Sequence, residues 1–64
     1  MTQKELLYFE DATKHECNII SILEESINNL EDEKLVDFLD NELEKHNSLK
    51  EKLIKLMEDN ANEW

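Results

Sequence analysis

The sequence contains no glycine, no proline and no arginine, a single cysteine and four aromatic residues. Each shortage removes a class of protein. An EF-hand loop needs a central glycine for its sharp turn, so the acidic run Glu31–Glu33 is read as a solvated helix start. One cysteine cannot build an internal disulfide framework. Seven lysines against 17 acids give a net charge of -10, which leaves no electrostatic footprint for nucleic acid or for an anionic membrane. The longest uncharged run is the stretch Cys17–Leu23, far short of a membrane-spanning helix. The opening residues show no apolar targeting segment, and the expectation is cytoplasmic synthesis with a reduced thiol.

What remains is charge and aliphatic bulk. Charged residues make up 38% of the 64 positions, and there are ten leucines and five isoleucines. That is too apolar for a disordered tail and suits long helices. A chain this short forms one domain at most, and its own core is marginal. Support from a second subunit or from a metal is therefore expected.

Hydrophobic periodicity divides the chain in two. Leu6, Phe9, Thr13, Glu16, Ile20, Leu23, Ile27 and Leu30 follow steps of three and four, the signature of one helix face. Thr2 and Glu5 have the spacing of a capping box at its start. The phase then fails: Lys34, Asp37, Asn41 and Glu44 continue it, and none is apolar. A new stripe begins with Leu35, Leu39, Glu42, His46, Leu49, Leu53 and Leu56. Asn28, Asn29 and Asp32 supply turn and cap chemistry between the two, with Asp32 as the second N-cap. The reading is an all-α chain with a first helix over 3–29, a turn at 30–32, a second helix over 33–58 and a frayed tail at 59–64.

The two stripes fit as an antiparallel hairpin. Pairing residues whose numbers add to 62 gives layers Leu6/Leu56, Phe9/Leu53, Thr13/Leu49, Glu16/His46, Ile20/Glu42, Leu23/Leu39 and Ile27/Leu35. One register aligns every layer. A second stripe on the first helix (Tyr8, Ala12, His15, Ile19, Ile22) and extra apolar positions on the second (Val36, Phe38, Leu43, Ile54, Met57) are left over. Two hairpins packed as a four-helix bundle would bury them, so a homodimer or higher even oligomer is expected.

The middle of that bundle is polar. Glu16 faces His46, Glu42 lies one helical turn from His46, and His15 sits at the same level on the face turned to the second subunit. Buried charge demands a partner or a metal. Two readings follow. One is a Glu16–His46 pair, or a hydrated polar layer, that sets the register. The other is a metal centre built from Glu16, Glu42, His46 and His15, whose donors suit iron, zinc or manganese. Two copies of Glu16, Glu42 and His46 alone would bring four glutamates and two histidines, the complement of a di-metal carboxylate bundle. The spacing departs from that pattern, because Glu42 and His46 are four apart and position 43 is leucine. No catalytic constellation stands out. Cys17 reads as a small half-buried hydrophobe, and it does not share a helix face with His15.

The opening Thr2-Gln3-Lys4-Glu5-Leu6-Leu7-Tyr8, with Glu10-Asp11-Ala12 and His15-Glu16, resembles the coat-F-like spore coat protein family. Lys45-His46 is similar to that family's second recurring stretch. The resemblance spans most of residues 2–57. It implies a ferritin-like helical fold, localisation at the bacterial spore coat, other coat proteins as partners, and no defined enzyme activity. Two function classes result: an acidic, self-associating structural protein, and a metal-binding half-ferritin.

Overall fold

A computed structural model describes residues 1–60. It contains two helices, α1 (Gln3–Asn29) and α2 (Glu33–Asp59), packed as an antiparallel hairpin. The chain is all-α, and the helix limits expected from periodicity hold, with α2 one residue longer than its stripe suggested. The positions from 61 to 64 of the expected tail lie outside the described residues; Asp59 is helical and Asn60 caps α2.

Local chemistry sets each boundary. At the start of α1 the Glu5 backbone N–H donates to Thr2 Oγ1 at 3.1 Å, and the Thr2 N–H donates to Glu5 Oε1 at 2.8 Å, completing the capping box. Asp32 accepts from the backbone N–H groups of Lys34 and Leu35 at 2.9 and 3.2 Å, and so caps α2. Leu30 and Asp32 are both extended (φ -95, ψ 142 and φ -74, ψ 115). Among the described residues none has a positive φ. The reversal therefore asks for nothing that only glycine supplies. Asn28 and Asn29 form the end of α1, within its expected limit. The Asn29 side-chain amide donates to the Glu25 carbonyl at 2.7 Å, inside the last turn.

The interface corrects one expected stripe. On α1, Leu6, Phe9, Thr13, Glu16, Ile20, Leu23 and Ile27 all lie at least partly buried, as their phase requires, and Ala12 and Ile19 join them. Thr13 satisfies its hydroxyl by donating to the Phe9 carbonyl at 2.8 Å. On α2, Leu35, Leu49 and Leu56 were expected in the core, yet they are 51%, 43% and 46% exposed. The half-buried face is an inner seam of Val36, Leu39, Leu43, His46, Lys50, Leu53 and Met57. Leu35, Phe38, Glu42, Lys45, Leu49, Lys52 and Leu56 form a second run of threes and fours, here called the outer seam, of which only Glu42 is half-buried. The helix is rotated by about one residue relative to the expected layers. Thus the Leu6/Leu56, Thr13/Leu49 and Ile27/Leu35 layers do not form as closed core contacts. The physical reason is degeneracy: Val36, Leu43 and Met57 offer as much apolar surface to α1 as the three leucines do.

The molecule is slender, 48 × 15 × 11 Å, with a radius of gyration of 14.8 Å. A compact chain of this length would have a radius near ~11 Å. Two helices side by side have no third element to close over them. Among the described residues Ile20, at 6% exposure, is the one fully buried position.

Candidate functional site

The expected polar layer is present at mid-hairpin. Glu16 comes from α1 and His46 from the inner seam of α2. The His46 Nδ1–H donates to Glu16 Oε2 at 2.6 Å. The Glu16 side chain is 12% exposed and that of His46 28%. The contact sits one turn from Ile20, where the chain excludes water best, and it reproduces the register in which residue numbers add to 62. A charge-assisted bond of this length between partly dry groups is of the strong kind.

The other two expected donors stand elsewhere. Glu42 belongs to the outer seam and lies 3.6 Å from Lys45 Nζ, one turn along the same helix. His15 is exposed, with Nε2 3.5 Å from Asp11 Oδ2 one turn before it. The structure therefore brings together Glu16 and His46 and leaves Glu42 and His15 with local partners. Among the described residues no three His, Cys, Asp or Glu side chains gather as a metal-holding group within one chain. Cys17, expected to be half-buried, is exposed, because it lies on the flank of α1 away from the face that α2 covers.

The chemistry open to the pair follows from its geometry. With Nδ1 bonded to the carboxylate, the neutral ring presents Nε2 as its acceptor and metal-ligating nitrogen. In that state Glu16 orients the imidazole and does not stand beside it as a co-ligand. Within the hairpin the arrangement works as a polar clamp between helices.

Of two concavities on the described surface, one borders the interface and the other lies on α2 alone. An apolar groove of about 240 Å³ lies between the helices, lined by Tyr8, Phe9, Ala12 and Leu53. A larger open trough of about 730 Å³ follows α2 past Lys45, Leu49 and Lys52. The trough includes neither Glu16 nor His46, so volume does not mark the polar centre. Tyr8, Ile22 and Phe38, left over from the two stripes, and Leu49 and Leu56, expected in the core, are all exposed. No helix among the described residues is long and apolar enough to cross a membrane. Comparison with protein-family models, with curated proteins and with solved structures returns no match.

Proposed function

We propose that this chain is a structural, self-associating helical hairpin, a building unit rather than a catalyst. The observation that carries the reading is its unfinished burial. The chain presents 5132 Å² to solvent, about 800 Å² more than the ~4,300 Å² of a compact monomer of this size. A standard protein interface buries about 800 Å² on each partner. The excess is thus about the area that one subunit contact would remove. The acidic surface keeps such a unit soluble before assembly. The resemblance of residues 2–16 to coat-F-like proteins supports the spore coat as the place of assembly and coat proteins as further partners.

Sedimentation velocity across micromolar concentrations tests the reading. An even-numbered oligomer is expected, and a well-folded monomer throughout would overturn it. Extraction of spores addresses location: the protein is expected in the detergent-soluble coat fraction, and recovery only from the spore interior would contradict the coat assignment.

The Glu16–His46 pair favours a second reading, a metal-binding half-ferritin holding iron, zinc or manganese between copies. The hairpin contributes His46 Nε2 with Glu16 behind it, so other ligands would come from the second copy. Metal analysis of freshly purified protein separates the readings. Stoichiometric metal that His46→Gln abolishes supports the centre; metal at trace level, or unaffected by that substitution, counts against it.

A further inference from the structure

The self-association reading does not say which faces meet. Three observations on α2 answer that. First, its outer seam repeats in steps of three and four over the whole helix, a pattern that meets another helix along its length. The inner seam is already occupied by α1. Second, the flanks of two antiparallel helices face the same side in equivalent positions, so Tyr8, Ala12, Ile19 and Ile22 of α1 line the same side as the outer seam. The apolar groove bounded by Tyr8, Phe9, Ala12 and Leu53 lies between them. One side of the hairpin thus carries most of the unspent apolar surface. Third, charge along α2 is polarised. Residues 31–44 contain seven acids and one lysine; residues 45–55 contain four lysines and one acid, and the helix then closes on the acids Glu58 and Asp59.

We propose that a second copy of this chain docks on that side with its α2 antiparallel to the first α2, outer seam against outer seam. The proposal rests on the self-association reading and fixes its geometry. A two-fold axis makes the contact self-complementary: the acidic first half of each α2 meets the lysine-rich stretch 45–55 of the other. Parallel packing would set acid against acid. Docking on α1 of the second copy lacks the same match, since residues 3–29 hold six acids and only two lysines. Full overlap of the two helices puts the sum of paired residue numbers at 92, and within two residues of it the register that matches most outer-seam positions to one another is the one in which residue numbers add to 94. Phe38 then packs on Leu56 of the second copy, Glu42 meets Lys52 of the second copy, and the stem of Lys45 covers Leu49 of the second copy. Each contact occurs twice.

A charge exchange tests this. Glu42 and Lys52 are ten residues apart on one helix, about 15 Å along its axis, so they do not pair within a chain. Glu42→Lys and Lys52→Glu should each weaken association by roughly three-fold or more, and the double variant should return to within about two-fold of the parent. Circular dichroism confirms that each variant folds. Spin labels give a readout that leaves both charges intact. In a Cys17→Ser background, labels at Ser48→Cys should show a short distance between copies. Labels at Asp37→Cys should be separated by about 30 Å more along the axis. An oligomer in which the double variant fails to recover, or in which both label positions give equally short distances, overturns the docking while leaving self-association standing. A monomeric parent overturns both.

Discussion

His46 shows how much one residue's surroundings decide. Its ring bonds to Glu16 at 2.6 Å, in the best-shielded stretch of the hairpin. Replacing His46 by alanine leaves a carboxylate that is mostly out of water with no partner. The expected loss is about 1–3 kcal/mol by urea denaturation. Replacing both members by leucine should recover most of that loss, because an apolar pair asks for no desolvated partner. If the double variant remains as unstable as the single one, the pair does more than clamp the helices. Glu5 offers a pH test at the other end of α1. The hydrogen bond from the Thr2 backbone, then that from its side chain, holds its carboxyl below the ordinary value of 4.5. A depressed carboxyl contributes stability that is complete above its unfolded value and is lost as pH falls through the folded one. The Thr2 amide resonance should therefore move, and the first turn fray, as acid is added below about pH 4.5; Glu5→Gln should remove that transition. The Glu16–His46 contact was legible in the sequence because both residues fall on positions shared by every plausible phase of their helices. The local partners of Glu42 and His15 could not be read from stripe positions, since an opposite charge one turn away competes with any long-range role.

At the scale of the element, α1 was legible and α2 only in part. The capping box, the change of phase and the Asp32 cap marked where each helix begins and ends. The face of α2 turned to α1 was not decidable from periodicity. The inner seam and the expected stripe share Leu39, His46 and Leu53, and differ in whether Val36, Leu43 and Met57 or Leu35, Leu49 and Leu56 flank them. Each set holds five apolar residues in seven, so burial energy is nearly equal and packing detail decides. In a dilute, undocked hairpin Leu43→Ala should therefore cost more stability than Leu49→Ala, by about 1 kcal/mol. Equal costs would mean that the rotation of α2 is wrong. Ile20→Ala should be more damaging than either, at about 2–4 kcal/mol. Asp32→Ala removes the acceptor for two backbone N–H groups and should cost about 1 kcal/mol.

At the scale of the whole molecule, stability and assembly are linked. Any contact made by folded chains and not by unfolded ones raises the melting temperature with concentration. A rise over a hundred-fold concentration range is expected, and a constant value would argue for a self-sufficient monomer. Small-angle scattering should give a particle about as long as the 48 Å hairpin, whereas one continuous helix of the described residues would approach ~90 Å. The turn carries a further consequence. Leu30–Asp32 contains no residue that refuses a right-handed helical conformation. Straightening it costs the Asp32 cap and the contacts between helices, but no steric clash. Two chains that straighten together can regain those contacts by domain exchange, each α2 folding back on the other chain's α1. The bend is thus held from outside itself, by the cap and by burial. In that sense the hairpin is the compact member of a pair of interchangeable connectivities, and concentrated Asp32→Ala protein is where the extended member should accumulate.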